Sequence, residues 1–462
     1  MLTKSRNVED LKKILPSKNV LLSREERYIY AQDSTNTRRS KQLPDAIVFP
    51  ESIEEVQAIV RYANKHRIPV IARGAGTNLV GGCLCDTGGI VISFSKMNKI
   101  LNINRIDMTA TVQPGVVVGD LQSVVEDMGL YFPPDPSNLR VSTIGGAIAQ
   151  SAGGAKTFKY GGTKDYILDL KVVLSDGSII QTGSNTIKNA SGYNLGQLFV
   201  GSEGTLGIVV EALLKLIPKP EASQVLMGYF DSVKDATLAV NNILQNRIMP
   251  STLDFMDSTA IKTVEKFYNI GLDTEKEAML IIEIDGFACS LDYQREIIIK
   301  ILNNSGASGI KYSTTTEEAK KIWQGRRASF AATAKLKPDV LTDDVVVPRS
   351  NLCTLVKGIK NICDKYNLIV SIVGHVGDGN VHPQIALNLE DAEEVKNYKL
   401  AKQEIYKLAT SLGGLISAEH GIGTEKKDFL PKTINGLSFD YMKRIKRTFD
   451  PKGILNPGKI FD

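Results

Sequence analysis

Short apolar strands separated by loops rich in glycine and proline fill the first 217 residues, and this pattern constrains the fold more than any other feature. Strand-like segments such as IVISF, TATVQ and GIVVEALLKLI are rich in β-branched residues. The loops between them are RGAGTNLVGG (73–82), PPDPS (133–137), STIGGAIAQSAGG (142–154), KYGG (159–162) and GSEGTLGI (201–208). Glycine allows the backbone to approach a ligand closely, and the N–H groups of such loops can bind phosphate. Five loops of this kind in one domain predict a long, flat, anionic ligand.

The loop RGAGTNLVGG follows a predicted strand, helix and strand at residues 45–72. The helix lies in SIEEVQAIVRYANKH, where Ser52 and Glu55 have the spacing of a capping box and apolar residues recur at helical intervals. The loop is not the Rossmann fingerprint, because that spacing would need a glycine at Leu79 and no amphipathic helix follows.

The second half of the chain has a different pattern. A chain of 462 residues is too long for one ordinary core. PKPE at 218–221 predicts a linker, and longer strands then alternate with helices to about residue 420. The remaining residues, which contain TFDPKGILNPGK near the C-terminus, are predicted to be helical and then extended. We therefore expect an α+β fold class, with two domains and a C-terminal tail that returns to the first.

Composition and charge exclude several classes of protein. The 42% hydrophobic and 23% charged content is typical of a globular protein, and no apolar run has the length of a membrane span. MLTKSRNVED lacks the apolar core of a signal peptide, so we expect a cytoplasmic protein. The net charge of +5 is spread along the chain, which does not indicate nucleic-acid binding but permits weak attraction to an anionic membrane surface. The five cysteines form no C-x-x-C pair, so we expect neither a zinc ribbon nor an iron–sulfur cluster, and therefore no one-electron relay within the chain.

Histidine is rare in this chain, yet three of its four histidines lie in two glycine-rich loops, GHVGDGNVH (374–382) and SAEHGIG. If residues 377–380 form a hairpin loop, His375 opposes His382 with Cβ atoms roughly 5 Å apart. Two imidazoles at that separation can bind one metal ion, and Glu419 can add a carboxylate. Zn²⁺ suits this ligand set, although Mn²⁺ or Fe²⁺ is chemically allowed, and the same set describes a non-haem iron oxygenase.

Two further side chains are candidates for catalysis. In an extended segment neighbouring side chains point to opposite sides, so Glu419 can reach a metal while His420 faces a substrate as general base. IWQGRRASF (322–330) is predicted to be helical, and Arg326 and Arg327 then point about 100° apart. Arg326 lies on the same face as the aromatic residues of this segment and is the better candidate for a carboxylate contact.

The motifs together resemble a known family, and they occur in order over almost the whole chain. They are RGAGTNLVGG, PPDP, STIGG, SAGG, GSEGTLGI, GHVGDGNVH, SAEHGIG and DPKGILNPGK. The chain is similar to the FAD-linked 2-hydroxy acid oxidoreductases, a group of vanillyl-alcohol-oxidase-type flavoproteins that includes D-lactate dehydrogenase, the glycolate oxidase FAD subunit and D-2-hydroxyglutarate dehydrogenase. The resemblance implies an FAD-binding domain at 1–219, a substrate or cap domain at 220–420 that carries metal ligands, and a tail at 421–462 that completes the FAD site.

The resemblance also implies a set of cofactor-binding residues. They are Arg73, Gly74, Ala75, Gly76, Thr77, Asn78, Pro134, Asp135, Thr143, Gly146, Ser151, Gly154, Tyr160, Glu203, Ile208 and Asn456. Some relatives attach FAD through a histidine after the G-x-G of the first loop, and Thr77 at that place implies non-covalent FAD. Ser151 stands where asparagine is common in the family, so its flavin contact differs.

For the reaction, the resemblance implies a divalent metal on His375, His382 and Glu419, with Arg326 on the substrate carboxylate. Members that act on dicarboxylates carry a lysine where this chain has Thr342, which favours D-lactate or glycolate over 2-hydroxyglutarate. We expect FAD-dependent oxidation to the 2-oxo acid, with electrons passing to an electron-transfer flavoprotein, an iron–sulfur subunit or a quinone. A flavin-free metal-dependent oxygenase or hydrolase and a non-catalytic subunit are the alternatives. The sequence does not determine the oligomeric state, and a homodimer is one alternative. Peripheral association with a membrane is also left open.

Overall fold

The computed structural model describes residues 8–35, 37 and 39–461, and these form two compact units. The first unit consists of the described residues of Met1–Gly153, Gly161–Lys219 and Glu419–Asp462. The second consists of Gly154–Tyr160 and Pro220–Ala418. The predicted division into FAD-binding, cap and tail segments concerns ligand binding and stays a prediction. Part of the N-terminal stretch MLTKSRNVED lies outside the described residues, and within them no helix is long and apolar enough to cross a bilayer.

The first unit begins with a small mixed sheet. Its strands are β1 (Val20–Leu21), β2 (Ala46–Val48), β3 (Val70–Arg73) and β4 (Ile90–Ser93). They are ordered β1-β2-β4-β3, and β2 and β3 both run parallel to β4. The helix Ile53–His66 connects β2 to β3, so the predicted strand, helix and strand are confirmed.

The start of this connecting helix differs in one detail from the prediction. Ser52 caps the helix by accepting the N–H of Glu55, as expected. The Glu55 carboxylate, however, accepts the N–H of Glu51 at 2.7 Å instead of the N–H of Ser52. The capping box is therefore only half formed. The apolar face of the helix, Val56 to Ala63, is buried against the sheet as its spacing predicted.

A second sheet of the first unit is antiparallel. Its strands are β5 (Ile100–Asn104), β6 (Thr109–Val112), β8 (Ile167–Val173), β9 (Ile179–Gln181) and β10 (Ile208–Lys215), and β7 (Leu130–Tyr131) pairs separately with β11 (Ile217–Pro218). The order β5-β6-β10-β8-β9 places β10 at the centre, consistent with its apolar sequence. The other helices of this unit are Arg24–Ile29, Val118–Glu126, Ile144–Gln150, Gly196–Phe199, Leu430–Thr433 and Gly436–Phe449.

The second unit is built on one antiparallel sheet of eight strands. They are β12 (Ala222–Phe230), β13 (Thr252–Asp257), β14 (Ala278–Gly286), β15 (Ser308–Tyr312), β16 (Asp339–Thr342), β17 (Val345–Val346), β18 (Ile369–His375) and β19 (Asn380–Leu387). Their order is β15-β12-β14-β13-β18-β19-β16, and β17 pairs with β19. Its helices are Thr157–Tyr160, Val233–Gln245, Ser258–Tyr268, Ala288–Asn304, Thr316–Thr333, Leu352–Lys365 and Ala392–Ser411.

One face of this sheet is covered by the helices Ser258–Tyr268 and Thr316–Thr333. Met256 of β13 and Val373 of β18 pack with these helices in one buried cluster. Because side chains alternate along a strand, Asp254 and His375 point to this same face. The fold therefore brings a carboxylate and an imidazole under the helix Thr316–Thr333, which carries Arg326.

The hairpin β18–β19 forms, but its register differs from the prediction. The loop is 376–379 instead of 377–380, and His382 lies opposite Val373 instead of His375. The shift amounts to two residues. Since side chains alternate with a period of two, a shift of two keeps both imidazoles on one face and makes them diagonal neighbours.

Candidate active site

A cavity of the first unit is lined by the glycine-rich loops. Of the residues predicted to bind the cofactor, those on its wall are Arg73, Gly74, Ala75, Gly76, Thr77, Asn78, Thr143, Gly146, Glu203 and Ile208. Glu419 and His420 also line it. Two other wall residues carry buried polar atoms, Ser142 Oγ and Gln150 Oε1, that have no hydrogen-bond partner within the described chain. Such atoms indicate a wall shaped for a polar ligand.

The first loop requires glycine at two positions. A Cβ atom on Gly74 would lie 2.2 Å from Thr143 Oγ1, so only glycine lets β3 approach the start of the helix Ile144–Gln150. Gly76 has a φ of +73°, and a Cβ there would lie 2.3 Å from an Nη atom of Arg73. The Arg73 guanidinium is held over this turn by donating to the carbonyl of Gln32 at 2.8 Å. A positive charge therefore lies beside the exposed backbone of the loop.

Glu203, which lines the cavity, and Asn456 join distant segments of the first unit. The Glu203 carboxylate accepts the N–H groups of Ile422 and Gly423 at 2.7 and 2.8 Å. Burial raises the pKa of Glu203 to about 7, although these N–H donors oppose the shift. The Asn456 amide donates to the carbonyls of Gly82 and Glu203 at 2.9 and 2.7 Å. Asn456 thus connects the tail to both loops from behind the wall.

Glu419 and His420 reach the cavity together. Both side chains are about four-fifths buried, and His420 Nε2 lies 3.7 Å from Glu419 Oε1. This separation is longer than a hydrogen bond. The pair therefore presents a carboxylate and an imidazole at the wall of a cavity lined by loop backbone.

In the second unit, His375 and His382 lie against each other. Their ring centroids are 5.2 Å apart, and the rings meet edge to face. His375 is directly opposite Asp254 across strands β18 and β13, and its Nδ1 lies 2.7 Å from Asp254 Oδ1. This pair of imidazoles is the arrangement that the sequence predicted for metal ligands, reached through a different register.

Asp254 also contacts Arg326. Arg326 Nε lies 2.7 Å from Asp254 Oδ2, in an ion pair whose N–H is not aligned well enough to count as a hydrogen bond. The Asp254 side chain is only 2% exposed. Burial alone would raise the pKa of this carboxyl, but His375 and Arg326 beside it outweigh burial and hold the pKa below its usual value. Asp254 is therefore shared between an imidazole and a guanidinium.

The neighbouring arginine has a different environment. The Arg326 side chain is 17% exposed, whereas Arg327 on the same helix Thr316–Thr333 is exposed. The two arginines thus differ in exposure as the helical-face argument predicted, although Phe330, which that argument placed on the same face as Arg326, is 43% exposed. Trp323 lies one turn before Arg326 and donates its indole N–H to Glu283 at 3.2 Å.

A second buried carboxylate, Asp344, lies near His382. Asp344 Oδ1 is 3.9 Å from His382 Nδ1 and accepts the side-chain amide of Asn380 at 2.8 Å. Its Oδ2 accepts the hydroxyl of Ser417 at 2.9 Å and the N–H of Ala418 at 2.8 Å. Asp344 therefore holds the backbone immediately before Glu419 in the chain.

Several predicted cofactor residues lie elsewhere. Pro134, Asp135 and Ser151 belong to the first unit but are not among the residues that line the cavity. Gly154 and Tyr160 belong to the second unit, where the Tyr160 hydroxyl donates to Asp285 at 2.9 Å. The part of the prediction that concerns their contact with FAD stays a prediction.

Sequence reasoning did not single out Asp254 and Asp344. Both lie in strand-like, apolar segments, STLDFMD and LTDDVVVP, and both are buried. An acidic residue inside an apolar strand is the signal that could have identified them, because a buried charge needs a partner.

The cysteines are not suited to serve as nucleophiles, although Cys83 lines the cavity. None of the five forms a disulfide, and Cys85 and Cys363 are buried. Burial raises the pKa of Cys83 to about 11 and that of Cys363 to about 12, so neither thiol is reactive near neutral pH.

Comparison with known proteins agrees with this architecture. A family model for "FAD linked oxidases, C-terminal domain" matches residues 219–460, and one for "FAD binding domain" matches residues 44–183. A glycolate oxidase subunit of Bacillus subtilis is 41% identical over 94% of this chain and 92% of its own length. A D-lactate dehydrogenase of Anaerostipes hadrus is 36% identical over 98% of this chain and 96% of its own length.

The fold is also found among solved structures. The structure of p-cresol methylhydroxylase with bound substrate covers 98% of this chain and 96% of its own, with a TM-score of 0.82 and 18% sequence identity. At that identity the likeness concerns the fold alone, and the predicted α+β fold of the vanillyl-alcohol-oxidase type is confirmed. The two family models and the full-length relatives show more: the chain belongs to the FAD-linked oxidases and is an FAD-dependent oxidoreductase.

Proposed function

We propose that this enzyme oxidises a 2-hydroxy acid to the 2-oxo acid, with D-lactate or glycolate as the substrate. The observation that carries the proposal is the cluster in the second unit, where Arg326 and His375 share the Asp254 carboxylate and His382 lies against His375. Guanidinium groups bind carboxylates, and paired imidazoles bind divalent metals. A molecule with a hydroxyl beside a carboxylate matches both groups. The names of the two relatives, a glycolate oxidase subunit and a D-lactate dehydrogenase, support the same substrate class.

For the metal, we assign His375, His382 and Glu419 as ligands. The edge-to-face packing of the two imidazoles, with Nδ1 of His375 directed at a carboxylate, is suited to ligation through the other nitrogen. Glu419 is the next residue after Ala418, which Asp344 holds in place. Zn²⁺ fits two imidazoles and one carboxylate, and Mn²⁺ or Fe²⁺ is chemically compatible. A divalent ion held there would supply Lewis-acid polarisation of the substrate hydroxyl.

For FAD, we assign residues 1–219 and the tail 421–462 as the binding domain. The loop Arg73–Asn78 offers backbone N–H groups and one guanidinium to an anion, and Thr143, Gly146, Glu203 and Ile208 share its cavity. Bound FAD would supply the acceptor for the C2 hydride. Thr77 cannot form the covalent link that a histidine would, so we propose non-covalent binding. Residues 220–420 would form the cap that carries Arg326 and the two histidines.

Individual residues of the chain then have separate roles in the reaction. Arg326 binds the substrate carboxylate and orients C2. His420 accepts the hydroxyl proton on an unprotonated ring nitrogen, because its side chain reaches the cavity beside Glu419. The electron pair of the C2–H bond leaves as hydride, and the C2–O bond becomes the carbonyl of the 2-oxo acid.

The substrate within this class is a narrower proposal. Thr342 ends strand β16, and its Oγ1 is buried without a hydrogen-bond partner in the described chain. A threonine there supplies no cation for a second carboxylate, which favours a monocarboxylate over 2-hydroxyglutarate. D-2-hydroxyglutarate dehydrogenase activity remains the second candidate. We do not propose a flavin-free oxygenase or hydrolase, because the chain belongs to an FAD family.

Electrons must leave the reduced enzyme for a separate acceptor. The five cysteines are not spaced as the ligands of an iron–sulfur cluster. An electron-transfer flavoprotein, an iron–sulfur subunit or a quinone would complete the cycle.

Two measurements test the proposal. The first is reduction of an artificial dye by the holoenzyme with D-lactate, L-lactate, glycolate or D-2-hydroxyglutarate. We expect turnover with D-lactate or glycolate. Turnover with 2-hydroxyglutarate alone would instead support the second candidate, D-2-hydroxyglutarate dehydrogenase activity.

The second measurement is elemental analysis of wild-type protein and His382→Ala. The variant should lose the metal and turnover but keep its flavin spectrum, and an unchanged metal content would overturn the ligand assignment.

A further inference from the structure

Asp254 is the one group of the second unit's cluster that touches both proposed binding elements. Its Oδ1 meets His375 Nδ1 at 2.7 Å, and its Oδ2 meets Arg326 Nε at 2.7 Å. The three residues come from strand β13, strand β18 and the helix Thr316–Thr333, which are far apart in sequence. One buried carboxylate therefore connects the carboxylate-binding arginine with a proposed metal ligand.

The contact with His375 determines which nitrogen of that ring carries the proton. Asp254 faces the Arg326 guanidinium with Oδ2 and His375 Nδ1 with Oδ1, each at 2.7 Å, and in this arrangement the ring donates its Nδ1–H to the carboxylate. The lone pair then lies on Nε2. That tautomer leaves Nε2 as the metal-binding atom, and a carboxylate on the other nitrogen increases the ligand's basicity.

The contact with Arg326 determines how the guanidinium can be used. Asp254 lies on the Nε side, so the two Nη groups remain on the far end of the fork for a substrate carboxylate. The carboxylate also compensates charge. Without it, the guanidinium would repel a divalent cation bound at the neighbouring imidazole.

We propose that Asp254 is a positioning residue that sets the tautomer of His375 and the direction of Arg326 with one carboxylate. This inference rests on the proposed function, because it assumes that His375 binds a metal and that Arg326 binds the substrate. It adds that the proposed metal site and the proposed carboxylate-binding site are coupled. Substitution of Asp254, which contacts neither metal nor substrate, should therefore weaken the binding of both. Asp254 touches neither substrate nor metal in this assignment.

The chain provides a matched control on the same strand. Asp257 is also a fully buried aspartate of β13, but it accepts the backbone N–H groups of Ala260 and Ile372 at 2.8 and 3.0 Å. Asp257→Asn therefore perturbs a buried carboxylate without touching His375 or Arg326. A loss that both variants share would reflect general damage to the strand.

The first experiment measures Zn²⁺ affinity by competition with a chelator for wild-type holoenzyme, Asp254→Asn and Asp257→Asn. We expect Asp254→Asn to bind Zn²⁺ about 10–100-fold more weakly, as loss of a carboxylate behind a ligating histidine does in other sites, and Asp257→Asn to retain the wild-type affinity. With D-lactate or glycolate, Asp254→Asn should also raise KM, whereas Asp257→Asn should not. Equal Zn²⁺ affinities in wild type and Asp254→Asn, or equal losses in both variants, would overturn the inference.

A second measurement needs no variant. The ¹⁵N chemical shifts of the His375 ring in wild-type protein report the tautomer directly, and we expect the Nδ1-protonated form. A ring protonated on Nε2 alone would contradict the positioning role even if Asp254→Asn failed to fold. Wild-type protein that binds no Zn²⁺, Mn²⁺ or Fe²⁺ would instead contradict the metal assignment of the proposed function, so the two failures are distinguishable.

Discussion

Replacement of Arg326 is the sharpest test of the proposed substrate contact, because Arg327 provides a control one residue away. The Arg326 side chain is 17% exposed and paired with Asp254, whereas Arg327 is on the exposed side of the same helix. A charge-assisted hydrogen bond contributes about 1.5–3 kcal/mol, and about 1.4 kcal/mol corresponds to a tenfold change in an equilibrium constant. Arg326→Ala should therefore lower kcat/KM about 10–150-fold, while Arg327→Ala should change it little.

The assay is stopped-flow reduction of the bound flavin by D-lactate or glycolate, with KM and kcat obtained separately by dye reduction. Arg326→Lys should fall between wild type and Arg326→Ala, since lysine keeps the charge but not the planar fork. Thermal unfolding of each variant controls for stability, because Asp254 loses one of its cations in Arg326→Ala. Equal kinetic losses in Arg326→Ala and Arg327→Ala would refute the argument from the helix face.

Three further outcomes follow from the site. Acid precipitation of the holoenzyme should release its yellow chromophore into the supernatant, since Thr77 cannot form a covalent link, and flavin retained in the pellet would contradict this. His420→Ala should keep FAD and metal but reduce flavin about 10²–10⁴-fold more slowly, with partial recovery at high pH, and wild-type reduction would show that His420 is not the base. Because the pKa of Glu203 is raised from 4.5 to about 7, its contribution to stability is fully present below pH 4.5 and lost as pH rises to about 7. Glu203→Gln should flatten the dependence of the unfolding free energy on pH in this range, as measured by urea denaturation. An unchanged slope of unfolding free energy against pH would show that Glu203 does not have a raised pKa.

The parts of the site that lie close together in sequence were predictable. The loop 73–78 lines the cavity, as its glycine-rich turn predicted for a ligand site. Glu419 and His420 line the same cavity because the chain bends there, whereas the predicted extended segment would have pointed their side chains to opposite sides. The hairpin was also predictable as a hairpin, because GDGN follows one apolar strand and precedes another. Its register was wrong by two residues, because turn residues alone do not decide which of them close the loop. The alternation of side chains preserved the conclusion, since a shift of two residues does not move a side chain to the other face.

The partners of the site residues were not predictable from the sequence. Asp254 meets His375 only because β13 and β18 are neighbours in the sheet, although 121 residues separate the two side chains along the chain. Arg326 could be assigned to the buried face of its helix, but nothing local specifies which strand that face covers. Long-range strand order is decided by how the apolar faces pack together, and short motifs carry little information about it.

The energetics of Asp254 favour a role in function over a role in stability. Removing a carboxylate and a guanidinium from water costs several kcal/mol for each ion, and a well-packed apolar pair of similar volume is often as stable or more stable. Asp257 is different, because it satisfies two backbone N–H groups that would otherwise be buried without partners. Asp254 accepts no backbone N–H in the described chain, and its contacts are the side chains of His375 and Arg326. The fold alone would thus tolerate an apolar residue in place of Asp254, provided that Arg326 and His375 were replaced by apolar residues as well. A site that orients an imidazole and a guanidinium together, however, requires the carboxylate.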